Sequence, residues 1–402
     1  MIRKISSNFF SLVGVQLISA IFGIVTVPII INKIGIADFG VFSVLLSLGT
    51  MASLIVDFGI NISGVNSISK LAGNKLKSYI ASYFIIRLFI FSIIAVISLF
   101  FAFISESPYS YLLVLFLSAG SVFQINYYLK SIEKMWVITI VTFSQRFISL
   151  TLIFLVEDMS LDNALICYSL PFFLVSFCSF FLITNRLSDF DVTTDIKLIK
   201  KIFFNSFHMF IGVFGSALYR NMTIPLFSMF LSLEVVGYYS AAEKMLKGIQ
   251  GLVNSGAEAI YPTVCKSSYM EAYYKNILIV TFGTTLLITS ISSILLYEFG
   301  YVFSLTNNTY SILILLTLSI GLSIGSVCFF MGVMYFFARG FQKDFSIVTV
   351  KSGCISICLI CVLGWVDYHS VMLLSPFLTE LMIFLMLLAK MKILYSKDES
   401  KK

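Results

Sequence analysis

The chain has 402 residues, of which 59% are hydrophobic and 12% are charged, and its mean hydropathy is +0.99. Soluble domains carry about 25% charged residues, so this composition excludes a soluble globular protein. The formal net charge of +7 therefore has to be interpreted by where the charges lie along a membrane protein.

Twelve long apolar runs follow one another along the chain. Each is close to the length of roughly 20 residues that a helix needs to cross a bilayer, and none has the short alternating pattern of membrane β-strands. The first run is too long for a secretory signal and is predicted as a transmembrane helix. The runs predict an all-α polytopic membrane protein with about twelve transmembrane helices. They cover approximately residues 7–31, 38–63, 79–104, 110–129, 136–156, 163–185, 203–231, 237–262, 277–297, 309–337, 346–365 and 368–391.

Basic residues are distributed unevenly among the connections between these runs. Six of the 27 lie well inside the runs and Lys33 lies in the first connection, whereas the others lie at the termini or near even-numbered connections. Cytoplasmic segments of membrane proteins are enriched in lysine and arginine. The pattern predicts that both termini are cytoplasmic.

The first and seventh runs contain nearly the same sequence. TVPII (26–30) and TIPLF (223–227) are 197 residues apart, and the same offset aligns GVFS with GYYS. Without gaps, residues 8–59 align with residues 205–256. The matched prolines and glycines are Pro28 with Pro225, Gly40 with Gly237, and Gly59 with Gly256. These matches indicate an internal repeat.

Six runs in each half give both halves the same orientation, because an even number of crossings returns the chain to the cytoplasm. The sequence therefore predicts two parallel six-helix repeats, an architecture typical of two-lobed alternating-access transporters. The predicted parts are an N-terminal bundle over 1–185, a cytoplasmic linker over 186–202, a C-terminal bundle over 203–392 and a cytoplasmic tail over 393–402. Pro28 and Pro225 bend helices 1 and 7 and are predicted either as hinges or as fixed kinks.

Charged residues inside the predicted helices are mostly basic. An ionisable side chain in mid-membrane costs at least about 2.5 kcal/mol on insertion scales, so it usually faces a partner or a wet cavity. The basic ones are Arg87, Arg146, Arg220, Lys244, Lys247 and Lys351, and the acidic ones are Asp57, Glu243, Glu258 and Glu380. An excess of cations in a cavity predicts an anionic substrate, and arginine matches phosphate oxygens in geometry. Ion pairs that only pack helices together are the alternative interpretation.

Arg146 and Arg220 are the most central of these cations and belong to opposite halves. The sequence predicts that together they bind one anionic head group. Arg87, Lys244 and Lys247 are the further candidates for head-group binding.

The acidic residues offer a separate set of candidates. Glu243 and Lys247 are four residues apart, which predicts an ion pair on one face of a helix. Glu380 has no evident partner in the sequence. Glu243, Glu380 and His208 are candidates for ion coupling, although an interfacial residue is the default interpretation of His208 at a helix end.

Other motifs predict no metal, cofactor or catalytic centre. Cys354, Cys358 and Cys361 have spacing used in iron–sulfur proteins, but they lie in an apolar run with no loop to enclose a cluster. The sequence contains no P-loop and no G-x-S-x-G motif, so it predicts neither an ATP-driven pump nor an enzyme.

Three segments resemble a known family. VVGYYSAAEKMLKGIQGLVNSGAEAIYPTV (235–264), IGIADFGVFS (34–43) and NYYLKSIEKMWVITIVTFSQR (126–146) are similar to the signatures of polysaccharide repeat-unit flippases. These are the O-antigen (Wzx-type) branch of the multidrug/oligosaccharidyl-lipid/polysaccharide exporter superfamily. In the third segment, Ser131 replaces a glycine that is frequent in the family.

The resemblance implies a bacterial inner-membrane flippase that moves an oligosaccharide on undecaprenyl diphosphate from the cytoplasmic to the periplasmic leaflet. It also implies cavity arginines at the diphosphate, carried over here to Arg146 and Arg220, and a polysaccharide polymerase and chain-length regulator as partners. No nucleic-acid partner is expected. A drug or cation exporter would need an acidic cavity, and an O-antigen polymerase usually has a large outer loop; both remain as alternatives.

Overall fold

The computed structural model describes residues 2–69, 71, 73–104, 108–185, 195–264, 271–300, 310–337, 339 and 341–399. Within these residues the chain is helical, with fifteen α-helices. They are α1 (Ile2–Ile34), α2 (Ile36–Asp57), α3 (Ile60–Ile68), α4 (Gly73–Ile104), α5 (Pro108–Phe123), α6 (Asn126–Ser131), α7 (Met135–Leu155), α8 (Leu161–Thr184), α9 (Ile196–Ser228), α10 (Leu233–Val264), α11 (Glu271–Gly300), α12 (Ser311–Met331), α13 (Gln342–Trp365), α14 (His369–Met372) and α15 (Ser375–Glu399). A π-helical segment, Gly332–Phe337, continues α12.

Every predicted apolar run coincides with at least one long helix, which confirms the all-α fold. Seven helices of the described residues also have the length and hydropathy needed to cross a membrane: α1, α2, α4, α7, α8, α13, and α12 with its π-helical extension. Large apolar side chains on α4 point away from the protein, and Phe103 is 91% exposed. Such a face is expected where lipid, rather than water, surrounds the helix.

Three predicted helices are broken, and in each case the prediction of one continuous helix was wrong. The run over 368–391 divides at Leu373–Leu374, between α14 and α15. The run over 38–63 divides at Phe58 and Gly59, which both adopt positive φ angles of 50° and 71°. Left-handed residues cannot continue a right-handed helix. The run over 110–129 divides at Gln124–Ile125 between α5 and α6. Asp57 and Gly59 lie at the break in 38–63 and Gln124 at the break in 110–129, but single residues of this kind do not end a long apolar run in a hydropathy prediction.

The helices pack into two compact units. Unit 1 comprises Met1–Ile18 and Phe42–Ala217, and unit 2 comprises Ser19–Val41 and Leu218–Lys402. The unit boundaries therefore fall inside α1, α2 and α9. Helix α9 begins at Ile196, within the predicted linker, and α15 continues to Glu399, within the predicted tail. The division of the sequence into bundles at 186–202 stays a prediction.

The repeated proline motif has the same local structure in both copies. Thr26 donates its hydroxyl hydrogen to the carbonyl oxygen of Phe22, and Thr223 donates to that of Tyr219, each at 2.7 Å. Threonine bonds of this kind tend to bend a helix, and the proline two residues later removes a backbone donor. The matched sequences thus form matched threonine hydrogen bonds in α1 and α9, while a kink or hinge at Pro28 and Pro225 stays a prediction.

Candidate functional site

Arg220 lies on α9 in unit 2, held at one end by the preceding tyrosine. Its Nε donates to the hydroxyl of Tyr219 at 2.9 Å, and its guanidinium carbon lies 5.5 Å from the centre of that ring. The Tyr219 hydroxyl in turn donates to Oε1 of Glu380 on α15, at 3.2 Å. Nη2 of Arg220 is 3.8 Å from the same oxygen, beyond hydrogen-bonding distance, and the side chain is 51% exposed. The guanidinium is therefore held through Nε, while its Nη2 has only the longer contact with Glu380.

Glu380 is the buried carboxylate behind this arginine. Gly325 on α12 allows it to approach, because a Cβ at position 325 would lie 3.1 Å from the carboxyl carbon and 2.9 Å from Nε2 of Gln250. Gln250 donates to the carbonyl oxygen of Leu322 at 2.9 Å. Oε2 of Glu380 is buried and, among the described residues, has no hydrogen-bond partner. A buried carboxylate needs a compensating charge, and Arg220 supplies it.

Helix α10 contributes a second charged group to unit 2. Nζ of Lys247 is 2.8 Å from Oε1 of Glu243, which confirms the ion pair predicted from the spacing. Nζ of Lys244 lies 4.7 Å from the centre of the Phe39 ring, a cation–π contact. Together with Arg220 and Glu380, the α10 residues form a set of three cations and two carboxylates in unit 2. The set has a net formal charge of +1 (three minus two): Arg220, Lys244 and Lys247 against Glu243 and Glu380.

Arg146 lies on α7 in unit 1 and is partly buried. Its Nη1 donates to the hydroxyl of Tyr168 on α8 at 2.9 Å, and the guanidinium carbon lies 5.5 Å from that ring centre. Tyr168 packs edge-on against Phe42 with 5.8 Å between ring centres. Arg146 and Arg220 thus share one arrangement, a guanidinium supported by a tyrosine ring and hydroxyl. That they bind one head group together stays a prediction.

Arg87 has a different environment from the other two arginines. It is 1% exposed on α4, and its Nη2 donates to Oδ1 of Asp57 while its Nη1 donates to the carbonyl oxygen of Gln124. Its guanidinium carbon also lies 5.1 Å from the centre of the Tyr127 ring. Asp57 ends α2 and Gln124 follows α5, so Arg87 connects these two helix breaks. This burial favours a structural role, and binding of substrate by Arg87 stays a prediction.

The remaining candidates add less to the site. His208 lies on α9, but its side chain and that of Glu258 are outside the described residues. Lys351 on α13 is exposed.

Sequence reasoning did not identify the partners of the arginines: Asp57 for Arg87, Tyr168 for Arg146, and Glu380 for Arg220 through Tyr219. These contacts join different helices, and the spacing within one helix contains no signal for them.

Comparisons with known proteins agree with this helical architecture. Residues 5–268 match the model of the family described as polysaccharide biosynthesis protein. The chain belongs to this family. A relative named "Putative O-antigen transporter", from Escherichia coli (strain K12), is 22% identical over 371 residues, which are 88% of each chain. The resemblance to the O-antigen branch of the exporter superfamily is confirmed.

Solved structures of transporters share the fold. The lipid II flippase MurJ in an inward closed conformation is 14% identical, with a TM-score of 0.74 over 94% of this chain and 86% of that chain. An inward-facing multidrug resistance MATE family transporter of the MOP superfamily is 12% identical, with a TM-score of 0.60 over 97% and 95% of the two chains. At these identities the likeness concerns the fold alone. The protein is a multi-pass membrane protein of the polysaccharide biosynthesis family with a transporter fold.

Proposed function

We propose that the protein is a flippase that moves oligosaccharide repeat units, linked to undecaprenyl diphosphate, from the cytoplasmic to the outer leaflet of a bacterial inner membrane. Family membership, the E. coli relative and the helical fold support this proposal. Under this proposal the protein is not an enzyme, and both of its termini are cytoplasmic. A polysaccharide polymerase and a chain-length regulator then use the exported repeat units.

The observation that carries the proposal is the environment of Arg220. A half-exposed guanidinium in a membrane helix is expected to face a water-filled cavity as well as its partner, because exposure to lipid is costly. Its Nε is bound to Tyr219 at 2.9 Å, and its nearest carboxylate oxygen, on Glu380, is 3.8 Å from Nη2. The two terminal amino groups can therefore bind two oxygens of a diphosphate in the forked geometry that suits arginine.

Arg146 and the α10 lysines have supporting roles in this proposal. Arg146 is oriented by Tyr168 in the same manner as Arg220 by Tyr219, so we assign it a second contact with the anionic head group. Lys244 adds positive charge, whereas Lys247 is already paired with Glu243 at 2.8 Å. We therefore rank Arg220 and Arg146 above both lysines as ligands.

Glu380 and Glu243 provide the candidate groups for ion coupling. When a diphosphate binds Arg220, it competes with Glu380 for the guanidinium. The buried carboxylate then lacks its countercharge, and a cation or proton is needed to replace it. His208 is the third candidate for this step. A drug or cation exporter would need carboxylates open to cationic substrates, whereas Glu243 and Glu380 both face basic side chains of this chain.

The proposal is tested by deleting the gene and measuring on which leaflet the lipid-linked repeat units accumulate. We expect accumulation on the cytoplasmic leaflet and loss of surface polysaccharide. Arg220→Ala should fail to restore export, and Arg220→Lys should restore part of it, since lysine keeps the charge without the fork. Lys351→Ala, which removes an exposed cation of unit 2, is the matched control and should export normally. Normal surface polysaccharide in the deletion strain would rule out the flippase function.

A further inference from the structure

The first turns of α9 have one buried side and one exposed side. On the buried side, Ile202 and Ser206 are 3% and 0% exposed, and Ile202 belongs to an apolar core of unit 1. Leu198 and Phe203 pack against the same core, and the ring centre of Phe203 lies 4.7 Å from that of Phe58. These contacts fix which side of the helix is turned away from unit 1.

The exposed side carries three lysines followed by apolar side chains. Lys197, Lys200 and Lys201 are exposed. Further along the helix, Phe204 and Ile211 are 63% and 49% exposed. The lysines and Phe204 have the spacing i, i+3, i+4, i+7, and Ile211 follows two turns later, so all five residues lie on one side of an α-helix. We call this surface the lysine face.

The positive charge of the lysine face is not balanced by acidic side chains of the same helix. Residues 196–228 contain no aspartate or glutamate. Asp195 precedes the helix, and its Oδ1 accepts a hydrogen bond from the backbone amide of Lys197 at 3.0 Å. Within the part of the chain that the structure describes, none of the three lysines forms an ion pair. Three positive charges therefore point outward together.

The order of side chains along the lysine face matches the boundary of a membrane. The lysines directly precede the apolar run predicted over 203–231. Apolar side chains such as Phe204 are favourable in hydrocarbon, whereas lysine ammonium groups lie at the polar head groups. Lys201 and Phe204 are three residues apart, about 4.5 Å along the helix. The lysine face therefore passes from head-group depth into hydrocarbon within about one turn.

We propose that the lysine face binds anionic phospholipids of the surrounding bilayer. The phosphate groups of these lipids complement the three ammonium groups, and an acyl chain packs against Phe204 and Ile211. Lysines beside a membrane helix are attracted to anionic lipids within about a Debye length of the surface. The inference is independent of the flippase function, because it concerns lipids of the bilayer rather than a transported cargo.

Photo-crosslinking of the whole chain tests which lipid occupies the lysine face. A photoreactive phenylalanine analogue replaces Phe204, and the protein is placed in nanodiscs with equal parts of phosphatidylglycerol and phosphatidylcholine. Mass spectrometry identifies the lipids that are crosslinked after irradiation. We expect several-fold more crosslinked phosphatidylglycerol than phosphatidylcholine.

Phe100 on α4 is the control position for the crosslinker. Its exposed fraction, 62%, matches the 63% of Phe204. Residues 88–105 around it contain no charged side chain. The two lipids should therefore be crosslinked in equal amounts at position 100.

Removing the three lysines should abolish the preference for phosphatidylglycerol. In the variant Lys197→Gln/Lys200→Gln/Lys201→Gln, the ratio of the two lipids at position 204 should fall to the ratio at position 100. The matched control changes three exposed lysines from separate parts of the chain: Lys75→Gln, Lys134→Gln and Lys392→Gln. Both triple variants lower the formal net charge from +7 to +4 (seven minus three). The control should keep the preference, because the lysine face is intact.

Salt provides a second test, which decides the question even if the lysine variant does not insert into the membrane. The Debye length falls from about 8 Å at 0.15 M to about 3 Å at 1 M ionic strength. The preference for phosphatidylglycerol at position 204 should therefore weaken several-fold at the higher ionic strength. Equal amounts of the two lipids at position 204, or a preference that salt leaves unchanged, would overturn the proposal. Displacement of phosphatidylglycerol by an equal amount of added undecaprenyl diphosphate would also overturn it, because the lysine face would then bind the cargo.

Discussion

Arg87 and Arg220 are both arginines of membrane helices with a tyrosine and a carboxylate nearby, yet their surroundings are opposite. Arg87 is 1% exposed, and both of its terminal amino groups are bound, to Asp57 and to the carbonyl of Gln124. Arg220 is 51% exposed and is anchored through Nε, with Glu380 3.8 Å from its terminal nitrogen. The terminal amino groups of Arg87 are bound inside the protein, whereas we propose that those of Arg220 bind a ligand.

The difference shows how charge inside membrane helices should be interpreted. An excess of cations predicts an anionic substrate only after the cations bound to internal acceptors are removed from the count. Here Arg87 is neutralised by Asp57 and Lys247 by Glu243. Arg220, with its looser contact to Glu380, is the cation that we propose binds a head group.

The largest effect on stability is expected at Arg87. Arg87→Met should destabilise the protein by about 3–5 kcal/mol, because removing one partner of a buried ion pair leaves the other charge uncompensated. The double variant Arg87→Met/Asp57→Leu should recover most of this loss. The measurement is the unfolding midpoint of the purified proteins in detergent. An Arg87→Met protein that unfolds like the parent but fails to export would assign Arg87 to the substrate site instead.

The next effect, smaller than that of Arg87→Met and measured mainly in export, is expected when Tyr219 is replaced. Tyr219→Phe keeps the ring beside Arg220 but removes the hydroxyl that connects the guanidinium to Glu380. Hydrogen bonds to charged groups contribute about 1.5–3 kcal/mol, so export should fall by about tenfold or more. The unfolding midpoint should fall by less than that of Arg87→Met, because Arg220 still lies 3.8 Å from Glu380, and export is compared at matched protein levels. Tyr238→Phe, another buried tyrosine of unit 2, is the control, and equal export by the two variants would contradict the anchoring role.

The smallest effect is expected at Tyr168. Tyr168→Phe removes the hydroxyl acceptor of Arg146 but keeps the aromatic ring against the guanidinium and against Phe42. Since the ring still provides about 0.5–1 kcal/mol of cation–π attraction, we expect export to fall by only a few-fold. Export rates of the variant and parent at matched protein levels provide the measurement. A complete loss of export in Tyr168→Phe would mean that Arg146, rather than Arg220, is the main contact with the substrate head group.

Much of the fold could be predicted from sequence, because each apolar run long enough to cross a bilayer is helical over most of its length. The i,i+4 pair of Glu243 and Lys247 was also predictable, since one helix fixes its geometry. The helix breaks at Phe58–Gly59 and Gln124–Ile125 could not be predicted from the sequence, because they depend on contacts with other helices. Glu380 is 161 residues from Tyr219 in the sequence, and only the packing of α15 on α9 brings them together.

The central claim is that Arg220 binds the anionic head group of the substrate, and ligand-induced stabilisation tests it most directly. Undecaprenyl diphosphate is added to the purified protein and the unfolding midpoint is measured. A ligand at 100 times its Kd stabilises a folded protein by about 2.7 kcal/mol. We predict that the parent and Lys351→Ala are stabilised and that Arg220→Ala is not. Equal stabilisation of Arg220→Ala and the parent would contradict the claim.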